Sequence, residues 1–209
     1  MTSPISPPTR PRSGGQVLVD QLKIHGVDMA FCVPGESYLP VLDALYESRE
    51  TVKLITCRHE GAAANMAEAY GKLTGNPGIC LVTRGPGATN ASIGVHTALQ
   101  DSTPMILLIG QVGSDFVERE AFQEIDYRRM YGQLAKWVAQ IDRPTAFPNT
   151  WLAHSRLPPA DAWGRWCWRC PKTCLRTWWM LSTRALISTA RKSGHRLARQ
   201  HWRGFPACC

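Results

Sequence analysis

One acidic residue, Glu60, is the best-placed candidate for chemistry in the sequence. It lies three residues after an apolar segment that ends at Cys57, and a run of small residues from Gly61 to Ala67 follows it. Small residues let a cofactor or a second subunit approach closely, and complete burial by such a surface raises the pKa of a carboxyl by as much as ~3–5 units. The helix dipole opposes this by only about 0.3–1 kcal/mol. We therefore expect the Glu60 carboxyl to share or donate a proton in a binding or catalytic site. The alternative is that Glu60 is an ordinary first-turn residue whose charge interacts favourably with the helix dipole.

Two further segments have residue types suited to binding. Residues 83–90 read Thr-Arg-Gly-Pro-Gly-Ala-Thr-Asn and separate a predicted strand from a predicted helix, where phosphate groups are often bound. The segment matches neither G-x-G-x-x-G nor G-x-x-x-x-G-K-[ST], so a plain strand-to-helix connection stays open. Gln111 and residues 122–124 (Phe-Gln-Glu) follow the last strongly apolar strand. They are expected in a loop or short helix at the site, the alternative being a solvated connection.

Strands and helices alternate along the first two thirds of the chain. Apolar spacing predicts strands at 29–33, 52–57, 78–83 and 104–110, with a further candidate at 136–141, and helices at 17–27, 38–48, 60–73 and from the turn 85–87 to about 100. This order predicts an α/β fold: a doubly wound, mostly parallel sheet with helices on both faces. Ligands of such sheets bind beyond the carboxyl ends of the strands. One rim is therefore expected to hold residues 34–36, Glu60, 83–90 and 110–111.

Charge and tryptophan content divide the chain into two unequal parts. Residues 1–144 contain 13 Lys and Arg and 15 Asp and Glu, a net charge of −2, whereas residues 145–209 contain 11 basic residues and one acid, a net charge of +10; together they give the formal +8 of the whole chain. All eight tryptophans lie at or beyond Trp137, and five of the eight cysteines lie at or beyond Cys167. The basic character thus belongs to the last part alone and does not indicate that the first part binds nucleic acid.

The beginning of the chain and the cysteine content bear on its location. Residues 1–13 are rich in Pro and Ser and are predicted to be disordered. They contain no apolar stretch typical of a secretory signal, and no apolar run in the chain reaches the roughly 18 residues of a membrane-spanning helix. Cysteines without an export signal are typical of a reducing compartment. A cytoplasmic location without membrane attachment is therefore expected.

Five short motifs, taken in order, resemble those of a known family. They are Val33-Pro-Gly-Glu36, Arg58-His-Glu-Gly-Ala62 continued by Met66-Ala-Glu-Ala-Tyr-Gly71, the segment 83–90, Asp101-Ser-Thr-Pro104, and Ala121-Phe-Gln-Glu124. With these motifs, the stretch from about Gly14 to Ile141 resembles the pyrimidine-binding (Pyr) domain of thiamine diphosphate enzymes, particularly the acetolactate-synthase-like branch. The chain is thus expected to consist of a disordered segment 1–13, a Pyr domain 14–144 and an aberrant segment 145–209.

The resemblance implies roles for residues in four of these motifs. Glu60 would hydrogen-bond N1′ of the aminopyrimidine of thiamine diphosphate and favour removal of the thiazolium C2 proton, after which the cofactor attacks a 2-oxo acid such as pyruvate. The expected cofactor-binding residues, besides Glu60, are Gly35, Glu36, Gly85, Pro86, Gly87 and Asn90. Phe122 and Gln123 would lie near the substrate. No metal ligand is expected within this chain.

The resemblance also implies parts that the Pyr domain does not supply. In the family, a diphosphate domain with a Gly-Asp-Gly motif holds Mg²⁺, and no Gly-Asp-Gly occurs in the 209 residues. Mg²⁺ is therefore expected only through that domain, and FAD, possible in full-length members, through a further one. Because the family's active site forms between subunits, a dimeric or tetrameric homo-oligomer is expected, and this chain alone is expected to be inactive.

Residues 145–209 are expected to be poorly folded because their sequence resembles the translation of a shifted reading frame. Where the family has a buried strand resembling Gly-Pro-Val-Val-Leu-Ala-Leu-Pro-Glu-Asp, the chain has Trp163-Gly-Arg-Trp-Cys-Trp-Arg-Cys-Pro-Lys-Thr173. Tryptophan has the single codon TGG. When the third base of each codon is read with the first two of the next, Trp163–Gly164 becomes Gly, Trp166–Cys167 becomes Val and Cys167–Trp168 becomes Leu. This pattern indicates a single-base frameshift near residues 142–144.

Two other functions stay open if that segment is genuine. Cys167, Cys170 and Cys174, with His154, His195 or His201, are of the types that bind Zn²⁺, although no second Cys-x-x-Cys pair accompanies them. Eleven basic residues interleaved with seven tryptophans would instead bind single-stranded nucleic acid through phosphate contacts and stacking. The alternative to an enzyme is thus a non-catalytic protein that acts through its basic segment, whereas the enzyme hypothesis predicts no nucleic-acid partner.

Overall fold

The computed structural model describes residues 12–142 together with the strands at 166–171 and 178–179. In chain order the elements are β1 (Arg12–Ser13), α1 (Gly14–Ile24), β2 (Met29–Cys32), α2 (Leu39–Glu47), β3 (Lys53–Thr56), α3 (Glu60–Thr74), β4 (Gly78–Thr83), α4 (Arg84–Gln100), β5 (Met105–Gln111), α5 (Tyr127–Tyr131), β6 (Trp137–Gln140), β7 (Trp166–Pro171) and β8 (Trp178–Trp179). Short 3₁₀ turns lie at Glu36–Tyr38 and Ser114–Phe116. The alternation predicted from the apolar pattern is confirmed.

Six of the strands form one sheet whose order is β3-β2-β4-β5-β7-β6. Every neighbouring pair in this sheet is parallel, so the predicted α/β, doubly wound sheet is confirmed. The chain first places β3 on one side of β2 and then crosses to place β4 on the other side. The strand order therefore reverses between β2 and β4, and in open α/β sheets a crevice for ligands forms beyond the carboxyl ends at such a point.

Helices cover both faces of the sheet, as predicted. One face carries Ala30 and Ile106 and packs against α1 and α2, while the other carries Phe31 and Leu107 and packs against α3, α4 and α5. Successive residues of a strand point to opposite faces, so the central strands β4 and β5 are apolar along almost their whole length. This double burial explains why these two strands read as continuous apolar runs rather than alternating ones.

Two ordered features lie where the sequence predicts none. Arg12 and Ser13 belong to the segment predicted to be disordered, yet they form β1, and the Ser13 hydroxyl caps α1 by accepting a hydrogen bond from the backbone N–H of Gln16 at 3.2 Å. Residues 1–11 of that segment lie outside the described residues. α5 is the second feature: its first turn is capped by Asp126, and its tyrosines, Tyr127 and Tyr131, are fully buried.

Part of the segment 145–209 is built into the sheets. β7 lies between β5 and β6 and is parallel to both, while β8 pairs with β1 in an antiparallel two-stranded sheet. The remainder of that segment lies outside the described residues, as do the side chains proposed to bind Zn²⁺ or nucleic acid. Within the described part of the chain, no helix combines the length and the apolar character needed to cross a bilayer.

Candidate functional site

Glu60 is the first residue of α3 and lies on the rim formed by the carboxyl ends of the strands. β3 ends at Thr56, so the helix begins at the edge of the sheet where that strand ends. His59 caps the helix, since its Nδ1 accepts a hydrogen bond from the backbone N–H of Gly61 at 3.1 Å. A carboxylate in this first turn is favoured by the helix dipole. The Glu60 side chain is half-buried, so complete burial would need a surface from outside the described residues.

Asn90, in the second turn of α4, is the partner of this carboxylate. Its side-chain amide Nδ2 donates a hydrogen bond to Glu60 Oε2 at 2.9 Å. The other oxygen, Oε1, has no hydrogen-bond donor among the residues that the structure describes, and it lies beside Gly87, where an added Cβ would come within 3.5 Å. Glu60, Gly87 and Asn90 are therefore brought together, and one carboxylate oxygen is oriented while the other is free to bind a ligand.

The small residues of α3 have a different partner from the one predicted for them. Gly61, Ala64 and their small neighbours were expected to admit a cofactor or a second subunit, whereas the buried ones pack against α4 of the same chain. The helices approach closely at Gly94, where an added Cβ would lie 2.6 Å from the Cβ of Ala64. Close packing of these two helices fixes the distance between Glu60 on α3 and Asn90 on α4.

The glycine-rich segment begins a helix instead of forming a separate turn. α4 starts at Arg84, directly after the last residue of β4, so Gly85, Pro86 and Gly87 form its first turn. Arg84 makes this abrupt change of direction with a left-handed backbone, at a φ of 44°. For a residue other than glycine this conformation costs on the order of 1–2 kcal/mol. The predicted turn at 85–87 is thus wrong, while its position at the carboxyl end of β4 is as predicted.

Gly35 lies on the other side of the crevice, in the segment that follows β2. An added Cβ at this position would overlap the side chain of Thr83 at the end of β4, so only glycine allows the two segments to meet. The hydroxyl of Ser37 is hydrogen-bonded to that of Thr83. Gly35 and Glu36 therefore lie next to the first turn of α4, at the point where the strand order reverses.

Arg84, for which the sequence motifs predict no role, links this segment to the loop after β5. Its Nη2 forms an ion pair with Oε1 of Glu36, and its guanidinium carbon lies 5.9 Å from the centroid of the Phe122 ring. The only sequence signal was an arginine inside an otherwise uncharged glycine-rich segment. Arg84 thus joins two of the predicted site residues, Glu36 and Phe122, into a second group.

The solvated connection considered for Gln111 is wrong, because its side chain is completely buried at the end of β5. Its Nε2 donates to the carbonyl of Ile125 at 3.1 Å, and its Oε1 accepts from the backbone N–H of Val112 at 3.1 Å and from the hydroxyl of Tyr127 at 3.3 Å. These bonds hold the two ends of the loop 112–126 together. Gln111 is therefore a structural residue beneath the rim.

The loop itself presents Phe122 and Gln123 towards the rim. The Phe122 ring is exposed, and Gln123 has a left-handed backbone with a φ of 64°. The carbonyl of Gln123 accepts a hydrogen bond from the N–H of Gly85 at 2.9 Å. The carboxylate of Glu124 accepts from the backbone N–H groups of Glu118 at 2.9 Å and Ala121 at 3.3 Å, so it organises the loop.

The interior beneath Glu60 contains neutral polar groups. Tyr38 is 2% exposed and donates its hydroxyl hydrogen to the carbonyl of Val33. Burial raises the pKa of Tyr38 far above its usual value, and the nearby Cys32, Cys80 and Glu60 raise it further. Burial likewise raises the pKa of the Cys32 and Cys80 thiols. These three groups hold their protons at neutral pH and add no charge to the site. Among the described residues, no cluster of three or more His, Cys, Asp or Glu side chains is arranged to hold a metal ion.

Comparison with known proteins relates this geometry to a family. The family sequence profile described as thiamine pyrophosphate enzyme, N-terminal TPP binding domain, matches residues 12–130. The matched stretch includes Gly35, Glu60, Gly87 and Asn90.

Curated relatives match the same part of the chain. A probable acetolactate synthase large subunit of Methanocaldococcus jannaschii is 41% identical over 140 residues, which cover 67% of this chain and 23% of the relative. The acetolactate synthase large subunit of Parasynechococcus marenigrum is 47% identical over 116 residues, 54% of this chain and 19% of the relative. The acetolactate synthase isozyme 2 large subunit of Escherichia coli is 44% identical over 114 residues, 54% and 20% respectively. The chain thus spans about a fifth of the length of these relatives.

Proposed function

Because the chain belongs to the thiamine pyrophosphate enzymes and contains their N-terminal TPP-binding domain, we propose that Glu60 binds the aminopyrimidine of thiamine diphosphate. The protein acts, in this proposal, in decarboxylation and carboligation of a 2-oxo acid of the acetolactate-synthase type. The observation that carries the proposal is the half-buried Glu60 carboxylate, whose Oε2 is held by Asn90 while Oε1 has no donor among the described residues.

The residues around Glu60 suit the proposed cofactor. Asn90 orients the carboxylate so that Oε1 accepts or donates a proton at a ring nitrogen, and Gly87 leaves room beside that oxygen. Thiamine diphosphate, when bound, supplies a nucleophilic carbon and an electron sink for 2-oxo acid chemistry. The part played by Glu60 is to hold the proton at the aminopyrimidine nitrogen. The proposed cofactor side is completed by Gly85 and Pro86, in the first turn of α4, and by Gly35 and Glu36, which lie next to that turn.

On the substrate side, the proposal places Phe122 and Gln123 at the crevice between β2 and β4, next to Glu36 of the cofactor side. These residues are joined through Arg84 and through the hydrogen bond from Gly85 to Gln123. A small 2-oxo acid would lie between this group and Glu60. Exclusion of water there would protect the carbanion that the reaction generates.

The half-burial of Glu60 supports a site completed by a second surface. We propose a dimer or tetramer in which another subunit covers the rim, and a diphosphate domain that holds Mg²⁺ through residues not found in these 209. FAD, possible in full-length members of the family, would bind through a further domain of that assembly. The thiols of Cys32, Cys57 and Cys80 are free. Free thiols are typical of a reducing compartment and support the proposal that the protein acts in the cytoplasm. Without the second surface, the 209-residue chain is expected not to turn over pyruvate with thiamine diphosphate and Mg²⁺, and measurable turnover would contradict this.

We further propose that a single-base frameshift near residues 142–144 produced the segment 145–209. β7 supports this: it covers 166–171 and lies between two parallel strands. There the shifted frame permits Val, Leu and Ala, which are typical of inner strands of a parallel sheet, followed by Pro. Sequencing the gene and its transcript across codons 140–145 tests the proposal. A longer unshifted frame supports it, and a transcript that encodes the present sequence overturns it.

The cofactor proposal is tested by binding of thiamine diphosphate to the full chain. Saturation-transfer NMR on the pyrimidine protons compares the wild type with Glu60→Gln and with the control Glu50→Gln, which removes an exposed carboxylate outside the rim. Loss of a hydrogen bond to a charged group is expected to weaken binding by roughly 10- to 100-fold in Glu60→Gln, and the control should bind as the wild type does. Equal binding by the wild type and Glu60→Gln would contradict the proposal that Glu60 binds the aminopyrimidine.

A further inference from the structure

Arg84 combines three unusual features that the proposed function leaves unexplained. Its backbone is left-handed, its side chain is only 11% exposed, and its Nε is buried without a hydrogen-bond partner among the described residues. A left-handed arginine is uncommon, and an unpaired buried donor destabilises a fold. Such features persist where the surroundings force them, and they concentrate at functional sites.

The ion pair of Arg84 reaches across the crevice. Glu36 follows β2, and its side chain is 61% exposed, yet it lies against the buried guanidinium of Arg84. A pair with one buried partner is screened less by salt than a fully exposed pair. The contact therefore holds the segment 33–38 against the first residue of α4.

The same arginine contacts the loop on the other side. Its guanidinium lies within reach of a cation–π interaction with the Phe122 ring, at 5.9 Å. The next residue, Gly85, donates its N–H to the carbonyl of Gln123. The start of α4 thus contacts both the segment that the proposed function places beside the cofactor and the loop that it places near the substrate.

We propose that Arg84 is a positioning residue that fastens the segment 33–38 and the loop 118–124 to the start of α4, through Glu36 and Phe122. It also compensates the charge of Glu36, which would otherwise repel an anionic 2-oxo acid from the crevice. The consequence for catalysis rests on the proposed function, whereas the effect on the two segments does not. Lysine replaces only half of this role, because it keeps the charge but lacks the planar group that stacks on a ring.

Amide hydrogen exchange in the full chain tests the proposal. Two sets of amides report on the two segments: Tyr38, which bonds to the carbonyl of Gly35, and a loop set, Gly85, Glu118, Ala121 and Glu124. Arg84→Gln is expected to speed exchange in both sets by roughly three- to tenfold. Arg84→Lys should speed only the loop set, and Glu36→Gln only Tyr38.

The control is Arg49→Gln, which removes an arginine with the same kinds of contact away from the rim. Arg49 lies 4.8 Å from the Tyr46 ring centroid and 3.8 Å from a Glu50 oxygen. This variant should leave both sets of amides unchanged, and amides of β4 and β5 should stay slow in every variant.

Three outcomes would overturn the positioning role. They are unchanged exchange in both Arg84→Gln and Glu36→Gln, a uniform rise across all strands, and an equal rise in Arg49→Gln. If the exchange results contradict the positioning role but Glu60→Gln weakens cofactor binding, the cofactor assignment stands. If the exchange results are as expected but Glu60→Gln binds the cofactor like the wild type, the positioning role stands without its consequence for catalysis.

Discussion

The amide of Asn90 donates a hydrogen bond to Oε2 of Glu60 at 2.9 Å and thereby connects α4 to the first turn of α3. The two residues are 30 positions apart in the chain. They meet because two small-residue helix faces pack closely against each other. The proposed cofactor site therefore depends on the spacing between two helices.

Changes at Asn90 should reveal how this bond contributes to stability. Asn90→Ala removes one hydrogen bond and is expected to lower the free energy of unfolding by about 0.5–1.5 kcal/mol. Asn90→Asp places a like charge beside Glu60, so it should destabilise at least as much at pH 7, with a difference that salt reduces. Urea unfolding followed by circular dichroism measures both. Ser92→Ala, which removes a hydroxyl bonded within the same helix, is the control, and an Asn90→Asp chain as stable as the wild type would contradict the prediction.

The contact between α3 and α4 should not tolerate a single methyl group at Gly94. The added Cβ would lie 2.6 Å from the Cβ of Ala64 and 2.7 Å from its backbone carbon, so the helices must move apart. Overpacking of this kind costs about 1–3 kcal/mol. Thermal and urea unfolding of Gly94→Ala measure the loss, and His96→Ala, an exposed change on the same helix, should stay within about 0.5 kcal/mol of the wild type. A Gly94→Ala chain of wild-type stability would show that the packing is looser than described.

Gln111 should be far more sensitive to substitution than an exposed glutamine. Gln111→Met keeps the volume but leaves the carbonyl of Ile125 and the N–H of Val112 without their side-chain partner, so a loss of about 1–3 kcal/mol is expected. The matched change Gln100→Met affects an exposed side chain at the end of α4 and should be nearly neutral. Urea unfolding compares the two variants. Equal stabilities would refute the structural role of Gln111.

The three cysteines within residues 12–142, Cys32, Cys57 and Cys80, should differ in their reaction with iodoacetamide. Burial raises the pKa of the half-buried Cys57 thiol, so at pH 8 less of it is thiolate than in a free cysteine, and it should react more slowly. Its rate should rise as the pH increases through the raised pKa. Cys32 and Cys80 are buried and should react only after unfolding. Peptide mass spectrometry follows each residue, with the denatured chain as reference. Labelling of Cys80 in the folded chain as fast as that of Cys57 would contradict the burial described.

The secondary structure could be predicted wherever the residue pattern of a short segment determines the element. The runs at 78–83 and 104–110 predicted β4 and β5 because strands buried on both faces need apolar residues at every position. The start of α3 at Glu60 followed from the change between an apolar run and an alanine-rich run. α5 was missed because it spans five residues, and its tyrosines are recognisable as core residues only once a sheet face is present to bury them.

Only part of the candidate site could be predicted from the sequence. Glu60, Gly35, Gly87 and Asn90 could be named from their motifs, but nothing in the local pattern indicates that α4 takes up the small-residue face of α3. Gln111 and Arg84 show the same difference. One is a buried structural side chain and the other a link between two loops, and each role depends on contacts with residues that are distant in the chain.

The amino-acid order alone determined the alternation of strands and helices and the family to which the chain belongs, because apolar periodicity and short motifs are properties of neighbouring residues. The tertiary structure decided which oxygen of Glu60 is left without a donor among the described residues, which surface covers the alanine face, and that Arg84 joins Glu36 to Phe122. These relationships arise where the strand order reverses between β2 and β4, and side chains meet there only after the chain has crossed from one side of β2 to the other.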